Sequence, residues 1–189
     1  MKIILGSQSK GRKKMLEEMG YKFEVRSANI DEKAVRVEDP KELTLALARA
    51  KAEALRFKIS EDAILITSDQ VVVWDEEIRE KPENEKEARE FLEGYNVHPA
   101  ETITAVVVTN IGSGKQAEGV DTAKVYFYSF LDNDIQEIIE DRSLFDMAGG
   151  FTVVGELWER HIKKIEGAKD SVIGLPKELT ERLIREVIQ

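Results

Sequence analysis

The sequence predicts an α/β protein with a sheet of mixed topology. Three observations lead there. Short apolar runs that suit strands alternate with longer amphipathic runs of helical period. Helical runs open on good capping residues, Ser9 and Asp39. One pair of β-rich runs is joined by a polar, Gly-bearing stretch instead of a helix, which inserts a hairpin into the alternation.

Each element has a local reason. Lys2 to Leu5 reads as a buried strand, and a helix follows from Lys10 to Met19, between the cap Ser9 and the stop Gly20. Lys22 to Arg26 alternates and reads as a second strand, and Ser27 to Val37 reads as loop. Asp39-Pro40 opens the next helix, because Asp caps and Pro suits the first turn. It runs to Phe57 with Leu43, Leu47, Ala50 and Ala54 on one face. Ala63 to Thr67 is a compact apolar strand ending at Ser68-Asp69, and Val71 to Trp74 continues extended. Glu83 to Tyr95 is helical. Thr102 to Thr109 and Thr122 to Phe130 form the hairpin, with the long tip "NIGSGKQAEGVD". Asp132 to Asp141 is a short helix, "DMAGGFTVVG" a Gly-bearing turn into a strand, and Lys177 to Ile188 a terminal helix.

At 189 residues, 42% hydrophobic and 34% charged, the chain suits one globular domain over residues 1–189 with a real core. No apolar window is long enough for a membrane span, and there is no secretory-type leader, so a cytoplasmic protein is expected. The absence of cysteine excludes disulfides and thiolate chemistry. A formal charge of -9 argues against a nucleic-acid polymer as partner. A small anionic ligand is still allowed, because it needs only a local cationic pocket.

Two tempting motifs fail. "IGSGKQ" is no phosphate loop: Thr109 stands where the first glycine belongs, and Gln116 follows Lys115 in place of Ser or Thr. His98 and His161, the only histidines, are not spaced as a metal pair, so solvated or packing roles are expected.

"LGSQSKGR" is more informative. A strand, a small-residue loop and a helix start present free backbone N–H groups to an anion. Ser7 and Ser9 add hydroxyls, and Arg12 adds a fork-shaped cation. Lys10, Lys13 and Lys14 add further charge at the positive end of the helix dipole, unfavourable unless an anion sits among them. Gly11 in this first turn is expected to cost the helix roughly 0.5–1 kcal/mol relative to Ala. Further along, Asp69 closes an apolar strand, where ligands of α/β folds gather. Asp31, Glu32, Lys51 and Lys81 complete a coherent set: acids to hold a cation, cations to hold phosphates, and one acid to activate water.

That set, in that order, resembles the Maf family of nucleoside triphosphate pyrophosphatases, also called septum formation inhibitor proteins. The family's opening Ala-Ser-x-Ser-Pro-Arg-Arg stands here as Gly6-Ser7-Gln8-Ser9-Lys10-Gly11-Arg12. Its acidic loop matches Asp31-Glu32, its Lys-Ala helix Lys51-Ala52, its Ala-Asp-Thr strand end Ser68-Asp69-Gln70, and its Lys-Pro Lys81-Pro82. Ala148-Gly149-Gly150 and "SVIGLPKELTE" match late segments. "REKP…AREFLEGY" and "GLPKELTE" look most like the divergent branch of plants and protists.

The resemblance implies an elongated, mixed-sheet Maf/ITPase-like fold with two lobes around a central cleft, often a homodimer. It implies a hydrolase that splits a nucleoside triphosphate, pyrimidine or modified, between its α- and β-phosphates in a house-cleaning role. Asp69 would be the general base or orient the attacking water, and Glu32, with Asp31 or Asp69, would bind Mg²⁺ or Mn²⁺. Ser7, Ser9, Arg12, Lys51 and Lys81 would bind the triphosphate. Arg12, Gln70 and Val154 occupy the positions that bear on substrate choice. Gln70 stands where Thr is usual and Val154 where Gln is usual, while Gly11 and Met147 replace a family Arg and Lys. These departures keep two rivals open: a non-catalytic nucleotide-binding regulator of cell division, and a phosphatase that removes only the γ-phosphate.

Overall fold

The computed structural model describes residues 2–189. Its sheet has seven strands in the order β2-β1-β3-β5-β6-β7, with β4 pairing β3 off that path. The first strands are β1 (Lys2–Leu5), β2 (Phe23–Val25) and β3 (Ala63–Trp74). β1 pairs parallel with both of the others. Parallel neighbours need crossover connections, and these are α1 (Lys10–Glu18) and α2 (Pro40–Arg56). Being covered on both faces makes β1 apolar from Ile3 to Leu5, all three buried.

The pleat sorts its neighbours. Ile3, Leu5, Ile64, Ile66, Val106 and Val108 share a core with Met15 and Leu16 of α1. Leu179, Leu183, Ile184 and Val187 of α7 (Lys177–Ile188) join the same core. Ile4, Leu65, Ala105 and Val107 face Ala48, Ala52 and Leu55 of α2 instead. Both helix starts form as their caps predict. Ser9 Oγ accepts from the Arg12 amide at 3.4 Å, and Asp39 Oδ1 from the Lys41 and Glu42 amides at 3.0 and 2.9 Å.

The remaining elements are β4 (Glu77–Arg79), α3 (Glu85–Gly94), β5 (Ala100–Asn110), β6 (Gln116–Phe127), α4 (Asp132–Asp141), α5 (Glu156–Glu159), β7 (Ile162–Glu166) and α6 (Lys169–Ile173). Chain contacts divide the molecule into two compact units, whose limits fall inside β3, β5, β6 and α6. The first unit holds residues 1–70, 104–121 and 173–189, and the second holds 71–103 and 122–172. The first is built on the two aliphatic cores just described. The second packs aromatic rings, with Phe127 within 5.3–5.5 Å of Tyr95, Phe130 and Phe151. His161 is buried there and stacks on Phe130 at 4.9 Å, the packing role expected of it. Among the described residues no helix is long and apolar enough to cross a membrane.

Several boundaries differ from the sequence reading. The strand expected to end at Ser68-Asp69 and the extended run read from Val71 to Trp74 are one continuous strand, whose Val72 to Trp74 pair antiparallel with β4. Asp69 is therefore a mid-strand residue and not a strand terminus. The hairpin arms are longer than expected and its tip shrinks to residues 111–115, closed by the Asn110 amide on the Lys115 carbonyl at 2.8 Å. Residues 146–155 form no strand. Gly149 and Gly150 sit at φ of 67° and 65°, and 3-10 turns form around them. That conformation is left-handed, which glycine tolerates and strands exclude. The expected loop 27–37 contains a 3-10 turn, Glu32–Ala34.

Candidate active site

The anion-binding reading begins at the loop between β1 and α1. Gly6 crosses beneath α2 where an added Cβ would lie 2.6 Å from Thr67 Cγ2 and 2.9 Å from Leu55 Cδ1, so only glycine fits. Ser7 Oγ accepts from the Ser9 amide at 3.2 Å, and Ser9 caps the helix. The first helical hydrogen bond is Lys13 N–H to Ser9 C=O, which leaves the Lys10 and Gly11 amides outside the helical ladder.

Arg12 does not extend into solvent. Its Nη1 donates to the Ser68 carbonyl at 2.7 Å and to Ser7 Oγ at 3.3 Å, and its Nε donates to the Gly174 carbonyl at 3.0 Å. One guanidinium thus joins α1, β3 and the Gly174 turn. Its Nη2 takes no hydrogen-bond partner among the described residues. Burial lowers its pKa, against the opposing pull of Asp69 and Glu32. The other cations of this segment are peripheral: Lys10 and Lys14 are exposed, and Lys13 reaches Gln8 Oε1 at 3.2 Å.

Gly11 carries a correction. A Cβ there would stand 2.8 Å from the Ile173 carbonyl oxygen and 2.9 Å from Ile173 Cγ2. The residue is glycine because the 173 turn closes on the helix start, a packing reason that the local sequence does not show. Gly11→Ala is accordingly expected to destabilise the fold by about 1–3 kcal/mol through overpacking. Urea unfolding measures this, and a stabilised variant would mean that the 173 turn does not press on α1.

Across the sheet, α2 presents Ala48, Lys51, Ala52 and Leu55 on its buried stripe. The alanines let the helix approach the sheet closely enough for Lys51 to reach β3. Lys51 Nζ lies 2.5 Å from Asp69 Oδ1 and 2.8 Å from Glu32 Oε1. Lys51 and Asp69 are 9% and 7% exposed, so this pair is shielded from water, while Glu32 is exposed. Burial raises the Asp69 pKa; Lys51 and Arg12 pull it back without cancelling the effect. Asp69 Oδ2 takes no hydrogen bond among the described residues.

The sequence-predicted residues therefore separate into groups. Ser7, Ser9, Arg12, Glu32, Lys51, Asp69 and Gln70 belong to the first unit. Gln70 donates from Nε2 to Thr104 Oγ1 at 2.8 Å. Asp31 is exposed, and its carboxylate caps the 3-10 turn by accepting from the Lys33 amide at 3.1 Å. It thereby shapes the segment that offers Glu32. Lys81, exposed after β4, and Val154 belong to the second unit. No three acids or histidines converge on one point among the described residues.

Sequence reasoning missed two participants. The Gly174 carbonyl accepts from both Arg12 Nε and Ser68 Oγ, each at 3.0 Å, and the Ser68 carbonyl holds Arg12 Nη1. The signal was "IGLP": Gly174 sits at φ 106°, which demands glycine and turns its C=O toward both donors.

Comparison with known proteins identifies the family. A family model described as Maf-like protein matches residues 2–187. A 7-methyl-GTP pyrophosphatase from Dictyostelium discoideum is 46% identical over 99% of this chain and 98% of its own. A dTTP/UTP pyrophosphatase from Vibrio vulnificus is 33% identical over 99% of each chain. A solved nucleoside-triphosphatase / dITP/XTP pyrophosphatase from Mycobacterium abscessus covers 100% of this chain and 95% of its own. Its TM-score of 0.43 and identity of 11% are too low to carry fold or function across. With a family match over nearly its whole length and relatives aligned end to end, the chain belongs to the Maf-like protein family.

Proposed function

We propose that this protein hydrolyses a nucleoside triphosphate between the α- and β-phosphates, releasing the monophosphate and pyrophosphate. The observation that carries the reading is the buried Asp69, held by Lys51 through one oxygen and open at the other. A carboxylate whose pKa is raised by burial is a stronger proton acceptor than an exposed Asp. Its Oδ2 is the atom that would take the proton of the attacking water. In the free protein Lys51 fixes the plane of that carboxylate, and the raised pKa brings the acceptor closer to working pH.

The triphosphate would sit at the start of α1. The Lys10 and Gly11 amides, the Ser9 hydroxyl proton and Arg12 Nη2 are the donors still available there. Ser7 serves mainly to shape that loop and seat Arg12.

A divalent cation, Mg²⁺ or Mn²⁺, fits the donor chemistry. One ammonium nitrogen already touches both Asp69 and Glu32, so two hard carboxylate oxygens are within reach of a single cation. When bound, such an ion neutralises charge developing on the phosphates. The Asp31 carboxylate, engaged as a cap, is left to support Glu32.

Substrate choice follows the closer likeness. The chain stands at 46% identity to the 7-methyl-GTP enzyme against 33% for the dTTP/UTP enzyme. Gln70 and Val154 also depart from the residues usual at the positions tied to base preference. We therefore place 7-methyl-GTP ahead of dTTP and UTP, within a cytoplasmic house-cleaning role. The purified protein, given Mg²⁺ and each of the three nucleotides, is expected to release pyrophosphate with the highest kcat/KM on 7-methyl-GTP. Release of orthophosphate would make the protein a γ-phosphatase instead, and nucleotide binding without turnover would favour the regulator.

A further inference from the structure

We propose that Lys51 is a resident counter-ion that competes with the divalent cation for Asp69 and Glu32 in the free protein, and that the substrate phosphates draw it away. The inference rests on the pyrophosphatase reading above and adds an order to it: nucleotide binding prepares the metal site.

The argument is one of charge and place. Lys51 Nζ, 2.5 Å from Asp69 Oδ1 and 2.8 Å from Glu32 Oε1, occupies the position of a cation shared by two carboxylates. A second cation held by the same two carboxylates would be repelled by it, with little water between to screen the repulsion, since Lys51 and Asp69 are 9% and 7% exposed. The charges that act on one another here are Lys51 and Arg12 against Asp69 and Glu32. Their formal charges balance, two positive against two negative. A metal ion entering alone would leave the pocket with surplus positive charge.

Arg12 cannot move aside, because it is tied to three partners. Lys51 can, because it rides on a flexible stem whose contacts to both acids are made by its terminal nitrogen alone. A triphosphate supplies anionic oxygens that repay the ammonium for leaving, and the vacated carboxylates then face the cation. Nucleotide and metal should therefore raise each other's affinity, and reciprocally so.

The test uses Mn²⁺, a hard cation visible by electron paramagnetic resonance, titrated into nucleotide-free protein. Lys51→Met keeps the stem and removes the charge. Lys10→Met, an exposed lysine of the same unit, controls for the change in net charge. Lys51→Met is expected to bind Mn²⁺ at least about tenfold tighter than both wild type and Lys10→Met, within the span typical of coupled sites. Adding Asp69→Asn to Lys51→Met should abolish the gain. Lys51→Gln is a second variant with the same expectation, should Lys51→Met unfold by circular dichroism. A Lys51→Met or Lys51→Gln protein that is folded and binds Mn²⁺ no tighter than Lys10→Met overturns the proposal. A gain that survives Asp69→Asn overturns it as well. Pyrophosphate release by wild type is scored separately, so failure of the counter-ion role is distinguishable from failure of the pyrophosphatase reading.

Discussion

Asp69→Asn is expected to lower kcat by about 10²–10⁴-fold, the usual contribution of a positioned general base. The substitution is nearly isosteric and leaves Lys51 its contact with Glu32, 2.8 Å away, so the fold should persist. Nucleotide affinity should hold or increase, because a negative charge near the triphosphate is lost. Steady-state kinetics paired with nucleotide titration separates the two effects, and a fall of only about twofold would remove Asp69 from the base role.

The pH profile supplies a second readout. Burial lifts the Asp69 pKa above its ordinary value of 3.8. A raised carboxylate favours the folded state most below the unfolded value, and that contribution is lost as pH rises through the folded value. Activity runs the other way, since the base must be ionised. The acid limb of kcat/KM, which reports the free enzyme, should lie above 3.8, and Asp69→Asn should remove it from whatever activity remains.

Arg12→Lys is expected to lower kcat/KM by at least about tenfold, since a lost charge-assisted hydrogen bond is worth about 1.5–3 kcal/mol. A single ammonium cannot reproduce what the guanidinium does. Arg12 Nε and Nη1 hold two different carbonyls, those of Gly174 and Ser68, while Nη2 takes no hydrogen-bond partner among the described residues. Lysine keeps the charge and loses the fork. Lys13→Ala should change little, because Lys13 only reaches the exposed Gln8. Kinetics of both variants on the best nucleotide at fixed Mg²⁺ decide the matter. A silent Arg12→Lys beside a damaged Lys13→Ala would mean that the phosphate lies against another side of α1.

The sequence by itself determined what depends on neighbours in the chain. Ser9 and Asp39 start their helices because each side chain reaches amides two or three residues away. The small-residue stripe around Lys51 declared a helix face that lies close to a sheet. The order of acids and cations disclosed the family, and with it the chemistry.

Tertiary structure decided what depends on distant partners. β7, "IKKIE", carries three charges in five residues and reads poorly as a strand; it forms because it pairs antiparallel with β6. The extended run Val71 to Trp74 was legible, but its partner β4, whose three residues have no strand signal of their own, was not. Gly11 looks like a helix defect until Ile173, far along the chain, is placed against it. The sequence offered Lys51, Glu32 and Asp69 as separate weak signals. Only the fold brings one nitrogen within hydrogen-bonding reach of both carboxylates, because α2, the Glu32 turn and β3 meet there. Ion pairing over such separations is set by how elements pack against the sheet, and no local pattern of residues encodes that distance.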